Sequence, residues 1–242
     1  LFQLLMLDTR SIYRDKQLNI EDYFDGNTIN KSKYKRDLSV DRKLIGLEQM
    51  LWIKNNLNKK FKWSIIGQQV LMAQVYLPSI FANMNKNILP DYLHKYLKIG
   101  GANVPYNTDA WDGYPKERER LFKELKKANS VLVLTGDTHN SWLNNLYDEN
   151  NNFIGVEIGT PAISSPNTID TFGSLTDGIE EGFIKENKNV KWTEGKNKGY
   201  TLIKLTKDKS EVSFVYVNTV KSKVYDVIDT NKFNVKPNTP II

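Results

Sequence analysis

In the stretch VLVLTGDTHNSW, Asp137 and His139 stand two residues apart, directly behind four apolar residues that read as a buried strand. Together they offer a hard oxygen and a borderline nitrogen, a donor pair able to converge on one metal ion. Gly136 is expected to let the backbone turn sharply there. The pair would then sit at the carboxyl end of its strand, where open α/β sheets hold their ligands. On these residues alone two readings stay open. Asp137 caps a turn with His139 exposed beside it, or the two hold an ion.

Two other strand ends carry reactive types. Asp8 and Arg10 follow the apolar run FQLLML, and Gln68 and Gln69 close WSIIGQQ. Arg10 presents a planar fork that matches a pair of phosphate oxygens; its other reading is a partner for Asp8 or Asp15. For the glutamines, ordinary strand-end hydrogen bonding suffices. The second histidine, His94 in DYLHKY, lies in a helical context and reads as surface. Two-metal phosphoryl-transfer sites hold their ions about 3.5–4 Å apart and draw several ligands from the protein. With two good candidates, this chain supplies about half of such a site.

The elements that must position these groups follow from periodicity. Phe2 to Leu7 has no polar alternation and is expected to be a strand covered on both faces. Polar, loop-like sequence runs to about Asp41. Leu44, Leu47 and Leu51 then recur at helical spacing in a helix ending near Asn58. Trp63 to Val70 reads as a second buried strand, and 71–110 as mixed turns and short helices. Pro115 suits a first helical position, with Arg118, Leu121, Phe122 and Leu125 on one face. Ser130 to Leu134 is a third buried strand. Leu143 to Tyr147 and Phe153 to Ile158 flank the turn-rich DENNN as a hairpin. Loop and short helix fill 160–198, and Thr201 to Leu205 with Val212 to Val217 form a last hairpin. Strands alternating with helices and then giving way to hairpins predict an α/β fold with antiparallel strands on its edge or in a second sheet. No linker divides 1–242.

Composition narrows the classes. The chain of 242 residues has no cysteine, which excludes disulfides, thiolate metal sites and a cysteine nucleophile within it. Apolar runs fall short of the roughly 20 residues a membrane span needs. The net charge of +6 is dispersed through Lys- and Asn-rich segments such as INKSKYKRD and IKENKNVKW. That suits a solvated surface, with attraction for phosphate esters or polyanions as the other use of the charge. The sequence opens inside an apolar strand, without an initiator Met or a signal peptide, and we expect further residues before Leu1.

Seven blocks in order, LLMLDTRSIYRDKQL, IGLEQMLWIKNNL, WSIIGQQVLMA, DAWDGYPKERERLF, VLVLTGDTHNSW, EIGTPAISSPN and NVKWTEGKNKGYTLIKLT, resemble the PhoD-like alkaline phosphatases. These belong to the calcineurin-like metallophosphoesterase fold group. The resemblance implies a two-sheet sandwich flanked by helices, of which 1–242 is the C-terminal portion. It implies iron and calcium, two or more ions in all, with Asp137 and His139 as metal ligands and Arg10 beside the phosphate. Gln69 stands where many metallophosphoesterases carry a metal-binding histidine, so it would face a metal-bound water or a phosphate oxygen. Trp111, Asp112, Ser164 and Ser165 would line the cleft. The family's bridging aspartate and iron-binding tyrosine lie upstream of the Asp-Thr-Arg strand, so this chain alone is expected to be inactive. The implied substrate is a small phosphate ester, with no specific nucleic acid, and the implied location is periplasmic or secreted. The rival reading is a non-catalytic, basic, polyanion-binding remnant of the same fold.

Overall fold

A computed structural model describes residues 1–242, the side chain of Ile88 excepted. In chain order it forms β1 (Phe2–Met6), β2 (Phe24–Asp25), β3 (Thr28–Ile29), α1 (Lys31–Leu38), α2 (Gly46–Asn56) and β4 (Trp63–Gly67). There follow α3 (His94–Ile99), α4 (Pro115–Leu125), β5 (Val131–Thr135), β6 (Ser141–Tyr147), β7 (Phe153–Gly159) and α5 (Thr168–Phe172). The chain closes with α6 (Thr176–Glu186), β8 (Val190–Glu194), β9 (Lys198–Leu205), β10 (Ser210–Val217) and β11 (Val227–Val235).

The apolar runs pair in parallel, as sequences without polar alternation must when both faces are to be buried. The six-stranded sheet has the order β1-β4-β5-β7-β6-β8. Contacts β1–β4, β4–β5 and β5–β7 are parallel, while β6 and β7 form the antiparallel hairpin predicted around DENNN. All five residues of β4 are buried. Ile66 and Val133 pack on one face with Ile53, Leu121, Phe122 and Leu125 from the helical layer. On the other face Trp63, Ile65, Leu132 and Val156 meet Val212, Phe214 and Tyr216 of a second sheet, ordered β11-β10-β9. Each such side chain contributes about 1.5–3 kcal/mol on burial, so the β4–β5 pair is the anchor of the fold. The Trp63 indole N–H also donates to the Thr206 carbonyl at 2.7 Å, joining the two sheets.

Helix α4 begins at Pro115 as expected and buries Arg118, Leu121, Phe122 and Leu125. It also buries Glu117, whose carboxylate accepts the backbone N–H groups of Leu44, Ile45 (3.0 Å) and Gly46 (3.2 Å) at the start of α2. A carboxylate there satisfies otherwise orphaned donors and complements the helix dipole.

The expectation for β1 is corrected. It is an edge strand with one face open: Phe2, Leu4 and Met6 are 47%, 49% and 62% exposed. Leu47 and Leu51 of α2 are exposed too, so only part of the predicted leucine stripe is buried. Across from β1, β9 is the edge of the second sheet, with Tyr200 and Leu202 exposed. Leu4 and Met6 share one groove of about 430 Å³ with Thr201 and Ile203 of β9, so both sheets stop at the same side of the molecule.

Inside β7 the apolar run is broken by Glu157, which is fully buried. It accepts the N–H of Met72 at 2.5 Å, the N–H of Ala73 at 2.9 Å and the Asn144 amide at 3.0 Å. Burial pushes its carboxyl up to about 7, against the pull of those donors. The folded chain therefore keeps a proton that the unfolded chain gives up near pH 4.5. Its stabilising contribution is full below that pH and is lost as pH rises through about 7. The shift corresponds to about 3 kcal/mol. In Glu157→Gln, which cannot ionise, we expect Tm to fall less between pH 5 and pH 8 than in wild type. Parallel Tm profiles for the two proteins would remove Glu157 as the titrating group.

Candidate active site

Because β4 lies between β1 and β5, the three strand ends singled out above are neighbours in space. Gln69 ties them together. Its Oε1 accepts the Thr9 N–H at 2.8 Å and the Thr9 hydroxyl at 2.6 Å, and its Nε2 donates to the Leu7 carbonyl at 2.9 Å. Its own carbonyl accepts the Gly136 N–H at 3.2 Å. The side chain expected to face a phosphate oxygen or a metal-bound water is thus engaged by the backbone, and its role here is to brace the loops.

After β5 the chain enters an unusual conformation. Asp137 and His139 both have positive φ, 68° and 63°. Gly136, expected to make the turn, is not among the left-handed glycines, so the two functional candidates carry the strain themselves. Left-handed backbone costs a non-glycine residue about 1 kcal/mol or more, and such strain concentrates at functional sites. Asp137 is exposed, and no side-chain hydrogen bond engages its carboxylate among the described residues. His139 Nδ1 lies 2.7 Å from the Pro166 carbonyl. A carbonyl only accepts, so Nδ1 carries the proton and Nε2 keeps its lone pair, the arrangement that orients metal-ligating histidines.

Arg10 is presented by an Asp8-centred turn, in which Asp8 Oδ1 accepts the N–H groups of Arg10 and Ser11, each at 2.8 Å. Its guanidinium pairs with neither Asp8 nor Asp15 but with Asp109, Nη1 to Oδ2 at 2.5 Å. The Asp109 contact, with a further pull from the field of Asp137, holds Arg10 more firmly protonated than usual. The second oxygen of Asp109 takes Arg14 Nη2 at 2.5 Å, and the Arg14 guanidinium lies over the Tyr114 ring, 5.2 Å from its centroid. Asp109, Arg14 and the Pro166 carbonyl escaped the sequence reading. Arg14 recurs four residues after Arg10, which is a signal of sorts; nothing local marks the others.

Trp111 and Asp112, expected on the cleft wall, are in the core instead. The Trp111 indole donates to Gln68 Oε1 at 3.2 Å. Asp112 accepts from Arg118 at 2.6 Å and from the Val75 N–H at 2.9 Å. The apolar ring is stabilised by this burial, while the Arg118 and Val75 contacts offset only part of the cost of burying the Asp112 carboxyl, which burial still pushes up. Gln68 is closed on the Val70 backbone. His94 Nε2 lies near the carbonyls of Lys86 and Leu89, away from the other candidates. Ser164 and Ser165 fall in the segment whose Pro166 holds His139.

As a donor set, one unengaged carboxylate and one oriented imidazole fit a metal ion. Among the described residues no group of three or more His, Asp or Glu could hold one. Two candidate donors and one arginine thus stand among three neighbouring strand ends.

A model of the family described as PhoD-like phosphatase matches residues 1–214. Alkaline phosphatase D of Bacillus subtilis (strain 168) is 33% identical over 195 residues, which cover 77% of this chain and 28% of that protein. A solved structure of PhoD superposes with a TM-score of 0.70 at 27% identity, covering 98% of this chain and 40% of that one. The chain therefore spans less than half the length of either relative.

Proposed function

Because this chain belongs to the PhoD-like phosphatase family, we propose that it carries the arginine and the Asp–His part of a metal-dependent site hydrolysing phosphate mono- or diesters. The observation that carries the reading is the paired left-handed conformation of Asp137 and His139, with His139 locked through Nδ1. A turn cap needs neither feature.

Asp137 and the Nε2 of His139 would hold a metal ion, and kinship supports iron with calcium. Bound metal would supply Lewis acidity toward the phosphoryl group and activation of water. The residues of this chain do the rest. The His139–Pro166 contact fixes the ring, and the Gln69 brace fixes the distance between the Arg10 loop and the Asp137 loop. Arg10 binds the phosphate oxygens, with Asp109 keeping the guanidinium aimed while the ester is absent. The other ligands, and the cover for β1 and β9, would come from residues preceding Leu1 in a longer polypeptide, completing a two-sheet metallophosphoesterase sandwich. The open face of β1 and the groove it shares with β9 support that completion. The substrate would be a small ester. No helix is long and apolar enough to cross a membrane. A location outside the cytoplasm rests on kinship alone.

Arg10 supplies the test. Arg10→Lys keeps the charge and loses the fork, and a lysine is not expected to rescue the site. In the full-length protein kcat/KM should fall about tenfold or more, as for a hydrogen bond to a charged group. Competitive inhibition by inorganic phosphate should weaken in parallel. Unchanged phosphate inhibition in Arg10→Ala would remove Arg10 from the site.

A further inference from the structure

Behind the loop that presents Asp137 and His139 lies a second cavity, of about 240 Å³. Its walls are aromatic: Phe81, Tyr96, Tyr106, Trp142, Phe172 and Phe183. The rings support one another edge to face, with Phe81 against Phe172 at 5.4 Å and 88°, and Trp142 against Phe183 at 5.2 Å and 79°. No charged side chain lines the cavity among the described residues. Such walls do not suit a second phosphate. They suit a neutral, flat group that stacks on or against rings.

Two segments connect this cavity to the phosphate side. Thr138 and Asn140 line it and alternate with Asp137 and His139 along the same loop. Pro166, whose carbonyl holds His139, lines it as well. On the opposite flank Tyr106 lines the cavity, and three residues further on Asp109 grips Arg10. The cavity thus shares a wall with the loop that presents Asp137 and His139.

Thr138, Asn140, Asn167, Thr168 and Thr171 add polar groups to the lining. Thr138 Oγ1 accepts the Trp142 indole N–H at 2.8 Å, and Asn140 is bonded to Thr168, so both of these walls are fixed. The hydroxyls of Tyr96 and Tyr106 have no hydrogen-bond partner among the described residues. Burial raises both phenols, which stay protonated donors into the alkaline range. The volume lies below that of pockets holding drug-sized ligands and admits about one ring system.

We propose that this cavity is the subsite for the organic group of the ester, and that it selects phosphate esters of a planar, ring-sized alcohol carrying an acceptor for the tyrosine hydroxyls, an aryl or nucleoside type. The assignment rests on the phosphoesterase reading of the Asp137–His139 loop, and it names the substrate class of that same site. An aliphatic polyol ester leaves the rings without a partner and gains nothing from them.

The test uses the full-length protein and three variants. Phe172→Leu keeps apolar bulk and removes a ring, Tyr106→Phe removes only a hydroxyl, and Asp137→Asn addresses the parent reading. We expect the kcat/KM for p-nitrophenyl phosphate, relative to that for glycerol 2-phosphate, to fall about tenfold in Phe172→Leu and about threefold in Tyr106→Phe, through KM. Inhibition by inorganic phosphate should not move in either. Binding of phenylphosphonate, which needs no turnover, should weaken by the same factors in a calorimeter. Equal losses on both esters, or phosphonate affinity unchanged in both pocket variants, would overturn the subsite. Full turnover in Asp137→Asn with weakened phosphonate binding in Phe172→Leu would instead sink the phosphoesterase assignment and leave an aromatic binding site standing.

Discussion

In the full-length protein, Asp137→Asn and His139→Asn are each expected to cut turnover of p-nitrophenyl phosphate by about a hundredfold or more and to lower bound metal in parallel. Even residues that merely orient metal ligands cost about 10–100-fold when removed, so the ligands themselves should cost at least as much. Asparagine is the informative replacement. Both positions are left-handed, a region asparagine enters more readily than most residues. The loop is thus preserved while the carboxylate charge, or the imidazole, is lost. Alanine would confuse loss of a ligand with relief of backbone strain. Elemental analysis beside the hydrolysis assay separates the outcomes. Full metal and full activity in both variants would reduce the pair to a turn.

How far this site could be read beforehand depended on where the information resides. The three strand ends were legible because parallel strands announce themselves as unbroken apolar runs, and the reactive residues fall directly behind them. Asp137, His139 and Arg10 are singled out as candidates in that way. The error at Gly136 came from assigning the turn to the residue best able to make it. The chain places the left-handed angles on Asp137 and His139 instead, and neither angle has a signature in residue type. Asp109 was invisible for another reason. Its grip on Arg10 spans 99 residues of sequence through a region of short turns that has no period to read.

Trp111 and Asp112 teach the converse. Their neighbourhood resembled a cleft motif, yet burial is decided by partners. Arg118, on the inner face of α4, neutralises Asp112 from within the core. A predicted apolar face that contains an arginine should itself have pointed to a buried acid. The missed elements share a weakness of pattern. Helix α1, KSKYKRDL, buries only Tyr34 and Leu38, too few for a stripe. Strand β11 pairs only with β10 and leaves most of its side chains outward, so polar residues fill it without penalty. Strand β8 sits in Lys-rich sequence and pairs with β6 alone.

Residues 1–242 expressed alone are expected to give no measurable phosphatase activity, at most one weakly held metal ion, and a strong tendency to associate. Phe2, Leu4 and Met6 stand on an open face of β1, and β1 and β9 each end a sheet without a further neighbour. Exposed edges with apolar faces pair with whatever strand is at hand. Leu47 and Leu51 add exposed apolar side chains on α2, which Gln49 ties to the end of β1 through the Asp8 N–H at 2.9 Å and the Asp8 carbonyl at 2.8 Å. On the proposed reading, one carboxylate and one imidazole leave most of the roughly four to six positions around an ion to other ligands. On the completion proposed above, a longer polypeptide should recover solubility and metal stoichiometry together, since the same strands would cover the groove and bring further ligands. Light scattering, elemental analysis and hydrolysis assays on the two lengths of chain measure this directly. A monomeric 242-residue protein with two tightly bound metals and robust turnover would overturn the half-site, and the ligands would then have to be sought among residues placed here in loops.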